Sequence, residues 1–220
     1  MNWIVNNLGL IGELTLEHLR LSVVPIVLGF VIAIPLGWVA WRYRVTRGLV
    51  LTVAGLLYTI PSLALFVVLP PLLGIPFLSE LNVTIALTLY AIALMARAAA
   101  DAFGSVDPGV RQSATAVGYS AWRRFWEVEF PLAGPVLLAG LRVVAVGTIA
   151  LVTVGILIGV ESLGYLFTNG LQRRIVEEVF AGVLATAALA LVVDGALQLV
   201  GRAVMPWARR APSRTRAVSS

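Results

Sequence analysis

The sequence predicts an all-α integral membrane protein with about five transmembrane helices. Of its 220 residues, 60 % are hydrophobic and only 12 % are charged, whereas a soluble domain is about half apolar and a quarter charged. The mean hydropathy is +0.96. The apolar residues also fall in runs of about 20, which is the length that crosses the hydrocarbon core of a bilayer as a helix.

Five apolar runs divide the chain into its predicted elements. They cover residues 21–41, 49–69, 83–103, 132–160 and 179–201. The fourth run is long and rich in glycine, so we expect it to tilt, bend or break. The predicted domain organisation is an outer-surface amphipathic segment (1–20), a membrane domain (21–206) with a cytoplasmic link (104–131), and a disordered basic cytoplasmic tail (207–220). In the first segment, His18 is expected at the membrane interface.

The arginines predict the orientation of these spans. All 16 basic residues are arginine, and the net charge is +5. Most of them lie in the links after the first and third runs and in the tail, whereas the opposite side holds Arg20, Arg173 and Arg174. The positive-inside rule therefore puts the N-terminus outside and the C-terminus in the cytoplasm. Because the arginines cluster at the edges of apolar runs, topology explains them better than nucleic-acid binding does.

The composition excludes several classes of function. With no cysteine and one histidine, the chain has no thiol nucleophile, thiolate metal site or histidine cluster, and an intramembrane enzyme has no convergent catalytic groups. The absence of lysine excludes the phosphate-binding loop that ends in Gly-Lys-Ser/Thr, so the chain is no conventional ATPase by itself. No internal repeat is evident, which argues against an ion-coupled secondary transporter.

The link between the third and fourth runs is predicted to form two short helices. Asp107 is an N-cap, and Pro108 follows at the first helical position. Gly118 is expected to end the first helix in a left-handed conformation. Ser120 can cap the second helix, which Pro131 is expected to end because the residue before a proline disfavours the helical conformation.

The second link helix combines aromatic and basic side chains. Some of these residues recur at helical spacing, and the others lie beside them in the sequence. The set is Trp122, Arg123, Arg124, Phe125, Trp126 and Glu129. Such a set has the composition of a protein-binding hot spot. It fits equally well an interfacial helix that places tryptophan at the headgroups and arginine on anionic lipid. The residues alone leave both interpretations open.

The link resembles the cytoplasmic signature of ABC importer permeases, which reads Glu-Ala-Ala, three residues, Gly, nine residues, then Ile-any-Leu-Pro. Gln112-Ser-Ala114 precedes Gly118, and Val128-Glu-Phe-Pro131 follows at the same spacing. Gln112 replaces the acidic residue. Other stretches resemble the osmoprotectant branch of that family, among them Ile60-Pro-Ser-Leu-Ala-Leu65 and Ala139-Gly-Leu-Arg142. Gly159-Val-Glu-Ser-Leu-Gly164 departs from that branch's glycine-rich pattern.

The resemblance implies the type I ABC importer permease fold and a non-catalytic membrane subunit in the plasma membrane of a prokaryote. It implies import of a small quaternary ammonium compound such as glycine betaine, choline or carnitine. The alternatives are a permease for another small solute, such as an amino acid, and an ion-coupled secondary transporter. The implied partners are two ATPase subunits that bind ATP and magnesium, a second permease subunit, an extracellular solute-binding protein and membrane lipid, with no nucleic acid and no cofactor in this chain.

The resemblance also makes the link the element that couples ATP hydrolysis to transport. The implied coupling residues are Gln112, Ser113, Ala114, Gly118, Tyr119, Trp122, Arg123, Phe125, Glu129 and Pro131.

Polar residues inside the runs are candidates for a translocation path or gate. They are Tyr58, Pro61, Ser62, Arg97, Asp101, Arg142 and Asp194. Arg97 and Asp101 are four apart, as an interfacial pair or a gate pair would be. Arg142 lies about 15 Å into the fourth run, so it requires a partner, Asp101 or Asp194, in a fold-holding or gating role. Pro61 is expected to kink the second run.

The outer link, residues 161–178, is too polar for lipid. It is expected to form a re-entrant or surface helix that docks a binding protein or serves as a solvated connector.

Overall fold

A computed structural model of the protein describes residues 2–210, in which every regular element is helical. The helices are α1 (Asn2–Asn6), α2 (Leu8–Arg42), α3 (Arg44–Thr59), α4 (Ser62–Leu73), α5 (Glu80–Gly104), α6 (Pro108–Ala116), α7 (Ala121–Arg124), α8 (Phe130–Val152), α9 (Gly164–Arg173) and α10 (Val176–Val204). A π-helical turn (Phe125–Glu129) joins α7 to α8, and 3₁₀ turns cover Thr153–Ile158 and Pro206–Arg210. Most of the predicted disordered tail, residues 211–220, lies outside the described residues.

The number of spans agrees with the prediction of about five. Within residues 2–210, four helical units are long and apolar enough to cross a membrane: α2, α5, the run Ala121–Ile158, and α10. The pair α3 and α4 makes a fifth unit if the two are counted as one bent span.

The second predicted run is not one straight helix, because Pro61 breaks it. The axes of α3 and α4 differ by 106° across the break. Ile60 and Pro61 are both extended there, with ψ of 126° and 137°, since proline restricts the residue before it and has no N–H to donate. The Tyr90 hydroxyl donates to the Ile60 carbonyl at this break. The expected kink is therefore a complete interruption.

Residues 8–20, which were predicted to belong to an outer-surface amphipathic segment, are continuous with the first span. α2 runs through residue 20 without a break. Leu14 packs with Ile149 and Leu166, and His18 is fully buried with its Nε2 2.8 Å from the carbonyl oxygen of Ile149. The interfacial position predicted for His18 is therefore wrong, because α8 packs over this face of α2.

Small residues bring α2 and α5 together at the centre of the bundle. A Cβ placed on Gly29 would lie 2.3 Å from the Cβ of Ala91, and one on Gly37 would lie 2.4 Å from the Cβ of Ala99. Close packing of this kind drives helix association in membranes, because lipid is as apolar as the helix surfaces and leaves no hydrophobic driving force between them. The contact holds the last turns of α2 beside the link.

The second link helix does not end at Pro131, contrary to the sequence prediction. The N–H of Phe130 donates to the carbonyl of Phe125, five residues back. This widened turn puts Pro131 in the first turn of α8, where a missing N–H costs little. The second link helix and the fourth span therefore form one continuous helical unit.

The break expected in the fourth run lies at its far end. α8 changes to 3₁₀ geometry after Val152, and the chain then turns at Gly159, whose φ is +75°.

Candidate coupling link and translocation path

Local capping shapes the two link helices as the sequence predicts. Asp107 Oδ1 accepts the N–H of Gly109 at 2.6 Å, and Ser120 Oγ accepts the N–H of Arg123 at 3.3 Å. Gly118 has a φ of +91°, which favours glycine. The Tyr119 N–H then bonds the Ala114 carbonyl at 3.0 Å and closes the turn. The link is a capped pair of helices joined at a glycine.

The predicted coupling residues divide into exposed and buried groups. The exposed ones are Gln112, Ser113, Gly118, Trp122 and Arg123, and the half-buried ones are Tyr119, Phe125 and Pro131. Ala114 and Glu129 are buried, with 7 % and 2 % of their surface exposed. These two are enclosed by the rest of the chain, so they hold the link together instead of offering a contact surface.

Glu129 is a buried carboxylate that joins three elements. Arg124 Nε donates to its Oε1 at 2.9 Å, and Trp38 Nε1 donates to its Oε2 at 3.4 Å. Arg111 Nε lies 3.9 Å from the same Oε1. A buried carboxylate needs such compensation, because burial removes its hydration. One extra residue in a turn rotates the following side chains by about 100°, so the π turn helps to point Glu129 inward.

Arg111 ties α6 to the ends of two spans. Its guanidinium lies over the Trp41 ring, 4.2 Å from the centroid, and its Nη2 donates to the Phe103 carbonyl at the end of α5. Burial lowers the pKa of Arg111, and the nearby Glu129 partly opposes this. Arginine nevertheless stays charged at physiological pH. Arg111 therefore brings a permanent positive charge into the joint between link and bundle.

Sequence reasoning missed Arg111, and it placed Arg124 in the aromatic and basic set without predicting its contacts inside the link. Arg124 Nη1 donates to Thr115 Oγ1 at 2.8 Å across the Gly118 turn. No spacing rule predicts this contact, because it depends on the angle between α6 and α7.

The link presents an apolar surface and a basic one. An apolar groove of about 780 Å³ is lined by Trp122 and Trp126 together with α2 residues that include Phe30, Val31 and Ile34. A basic cleft of about 670 Å³ is lined by Trp41, Arg42, Pro108, Arg111, Gln112, Thr115, Ala116 and Arg124. Because the apolar groove continues along a membrane span, it favours the lipid-facing interpretation of the two tryptophans.

Three of the predicted path residues meet at the break between α3 and α4. Tyr58, Pro61 and Ser62 line a cleft of about 440 Å³, together with Tyr90 and residues of α8. The rings of Tyr58 and Tyr90 pack edge to face with centroids 6.0 Å apart. Aromatic faces attract cations that have no hydrogen-bond donor, so the cleft has the chemistry expected of a path for such solutes.

The four charged candidates lie outside the lining of that cleft, and one of the two predicted pairs is present while the other is not. Arg142 donates from Nε and Nη2 to the two carboxylate oxygens of Asp194, at 2.6 and 2.9 Å, which confirms Asp194 as its partner. Gln198 also donates to Asp194, at 2.8 Å. The predicted Arg97–Asp101 pair is wrong. Asp101 lies 3.7 Å from Arg47 instead, because α3 packs against α5.

The outer link contains a helix, α9, as expected. Its contact with α10 includes a buried carboxylate: Glu178 accepts a hydrogen bond from Asn169 Nδ2 at 2.5 Å and is fully buried. Arg173 Nη1 lies 3.9 Å from the other oxygen of Glu178.

Comparison with known proteins places the chain in a transport family. Residues 18–206 match the family model for the inner membrane component of binding-protein-dependent transport systems. The chain belongs to this family. It is therefore a multi-pass inner-membrane transport protein.

Similar proteins match the chain over most of their length. The osmoprotectant import permease protein OsmW of Salmonella typhimurium is 33 % identical over 196 residues, which cover 88 % of this chain and 91 % of OsmW. The glycine betaine/carnitine/choline transport system permease protein OpuCB of Bacillus subtilis is 31 % identical over 198 residues, 89 % of this chain and 90 % of OpuCB.

The fold also matches that of a solved importer. A structure of the inward-facing MetNI methionine ABC transporter superimposes with a TM-score of 0.79 at 20 % identity, over 90 % of this chain and 98 % of that chain. At this identity the likeness establishes the fold alone, and it is the type I ABC importer permease fold predicted from the sequence.

Proposed function

We propose that this chain is the membrane permease subunit of an ATP-driven importer for a small osmoprotectant that carries a quaternary ammonium group. The observation that supports the solute class is the likeness to OsmW and OpuCB at 33 and 31 % identity along almost the whole chain. The solutes named for OpuCB share one chemical feature, a trimethylammonium group. The permease itself makes and breaks no covalent bond.

The importer requires subunits that this chain does not supply. A binding-protein-dependent system implies an extracellular solute-binding protein, and the family match supports that partner. Since the chain has no lysine, it has no phosphate-binding loop, and two separate ATPase subunits would bind ATP and magnesium. A second permease subunit, the same or a related chain, would complete the pore.

The link is suited to transmit motion from such an ATPase. α7 continues through the π turn into α8, so a displacement of the link moves the fourth span with it. Glu129, Arg124 and Arg111 fasten the same link to α2 and α5. ATP binding on the partner would then shift the population between two arrangements of the bundle.

The cleft at the Pro61 break is a candidate part of the solute path. A quaternary ammonium group donates no conventional hydrogen bond, and aromatic faces such as those of Tyr58 and Tyr90 attract it. Two tyrosines provide weak selection, so we expect the external binding protein to supply the affinity.

Uptake by the reconstituted complex tests this function. The chain, its ATPase subunits and its binding protein would be placed in proteoliposomes with radiolabelled glycine betaine, choline, carnitine or methionine. We expect ATP-dependent uptake of at least one quaternary ammonium solute, competition by the others, and no uptake with a non-hydrolysable ATP analogue. Uptake driven by an ion gradient without ATP would reject the importer, whereas ATP-driven uptake of methionine alone would reject the solute class.

A further inference from the structure

The basic cleft of the link carries an excess of positive charge that the permease does not neutralise. Three of its eight lining residues are arginines, and none is acidic. Glu129 is not part of the lining, and it is the shared counter-ion of Arg124 and Arg111. Asp107, at the start of α6, is not part of the lining and caps the helix by accepting the Gly109 N–H.

Arg42 is the least compensated charge of the three. It is exposed at the end of α2, and its guanidinium carbon lies 5.7 Å from the centroid of the Tyr43 ring. Among residues 2–210, no carboxylate forms an ion pair with it. The neutral polar side chains of Gln112 and Thr115 lie on the opposite, α6 side of the lining. The cleft therefore offers an anion the charge of Arg42 and the amide N–H groups of Gln112, while the Thr115 hydroxyl already donates to the Arg111 carbonyl.

We infer that this cleft receives an acidic side chain of the ATPase subunit, so that the permease supplies the cations and the ATPase the anion of the contact. The inference rests on the proposed ATPase partner and adds the location and sign of the contact. Carboxylate is the complementary group, because guanidinium binds it in a planar, two-pronged geometry. Gln112 is consistent with this sign, since its amide adds no negative charge to the cleft.

A protein side chain fits the cleft better than an anionic lipid headgroup does. The cleft opens beside α6, where Gln112, Ser113 and Thr115 are exposed, and such polar side chains suit water and a protein surface. The apolar groove beside Trp122 and Trp126 follows α2 along the membrane instead. The surface of the link that is suited to lipid is therefore the apolar groove, which is separate from the basic cleft.

The absence of lysine makes a site-specific crosslink possible. Arg42→Lys would introduce the single lysine of the chain and would keep the positive charge. Carbodiimide joins an amine to a carboxylate only when the two are in direct contact. In the complete complex, purified in neutral detergent, we expect a product of permease plus ATPase, and mass spectrometry should identify an aspartate or glutamate of the ATPase. Gln112→Lys provides a second position on the opposite wall.

Arg47→Lys is the matched control, because Arg47 is exposed five residues further on and does not line the cleft. It should give no product joined through its introduced lysine, whereas any product between ATPase lysines and the exposed carboxylates of this chain should be the same in every variant. Charge reversal adds a functional measurement: Arg42→Glu should lower ATP-driven uptake at least about tenfold, since like charges across a contact are costly. Arg47→Gln, which removes an exposed ion pair without placing a second negative charge beside Asp101, should leave uptake within about twofold of the unchanged protein, because exposed ion pairs contribute little.

The outcomes separate this inference from the proposed function. If no ATPase co-purifies, the proposed function fails. If the ATPase co-purifies and drives uptake, but neither variant is joined to it through the introduced lysine, the inference alone is overturned. It is also overturned if Arg42→Glu impairs uptake only in vesicles that contain anionic lipid and has no effect in neutral ones, since the partner is then the membrane.

Discussion

At the scale of single residues, Glu129 decides how firmly the link is joined to the bundle. Replacing it with glutamine keeps its size and leaves Arg111 and Arg124 without their shared counter-charge. Breaking a buried ion pair costs about 3 kcal/mol or more. We therefore expect Glu129→Gln to lower the thermal unfolding temperature and to lower the amount of solute imported per ATP hydrolysed. Both are measurable on the reconstituted complex.

Glu127→Gln is the matched control for that experiment. Glu127 lies two residues earlier and pairs with Arg123 at 2.8 Å, but both side chains are about half exposed. Solvent screens such a pair, so its loss should change neither quantity appreciably. Equal effects of the two substitutions would contradict the role given to Glu129. Glu129→Asp, which keeps the charge, should recover part of the coupling.

These residues also mark the limit of inference from sequence. The caps at Asp107 and Ser120 and the left-handed Gly118 were predictable, because each depends on a side chain and backbone a few residues apart. The partners of Glu129 come from three elements, and their distances depend on tertiary packing. The Arg97–Asp101 pair failed for the same reason, since Arg47 reaches Asp101 from another helix.

At the scale of helices, the prolines predicted to disturb the second run and the second link helix, Pro61 and Pro131, had different outcomes. Pro61 breaks its span by 106°, whereas Pro131 follows a π turn inside a continuous helix. Each proline removes one N–H donor and restricts the preceding residue. At the first site the Tyr90 hydroxyl donates to the Ile60 carbonyl, which lets the chain leave the helix in an apolar region. Sequence rules give the position of each disturbance, but its form depends on such tertiary donors.

The α2–α5 contact makes a prediction about helix approach. A methyl group on Gly37 would meet the Ala99 Cβ at 2.4 Å and the Ala96 carbonyl oxygen at 2.9 Å. Because one of these neighbours is backbone, the helices must move apart. We expect Gly37→Ala to destabilise the fold by about 1–3 kcal/mol and to lower the unfolding temperature in detergent.

Gly12→Ala, on the same helix, provides the comparison. A Cβ at Gly12 meets nothing within 4 Å, and alanine favours helix over glycine by up to about 1 kcal/mol. This variant should be as stable as the original or slightly more so. If both alanine variants unfold at the same temperature, close packing of α2 on α5 does not stabilise the molecule.

At the scale of the whole molecule, the bundle contains one long helical unit that is continuous and one span that is interrupted by a sharp bend. Ala121–Ile158 forms a continuous helical unit from the link through the fourth span, while α3 and α4 bend around the aromatic cleft. Motion applied at the link would reach α8 directly and change the walls of that cleft, because Gly147, Thr148 and Leu151 of α8 line it opposite Tyr58 and Pro61. This geometry connects the basic cleft, Glu129 and the candidate path in one chain of contacts.

Substitutions at the contact between α8 and α10 test whether the continuous helical unit Ala121–Ile158 also needs an ion pair to hold it in the bundle. Arg142 and Asp194 are joined by two hydrogen bonds, and Gln198 adds a third. Because unpaired charge in a membrane span is costly, Asp194→Asn should lower both the folded yield and the unfolding temperature. The double variant Arg142→Met with Asp194→Leu removes both charges and should recover stability. We expect it to recover ATP-driven uptake as well, because the pair lies outside the lining of the cleft at Pro61. Restored stability without restored uptake would instead assign the pair to the gate.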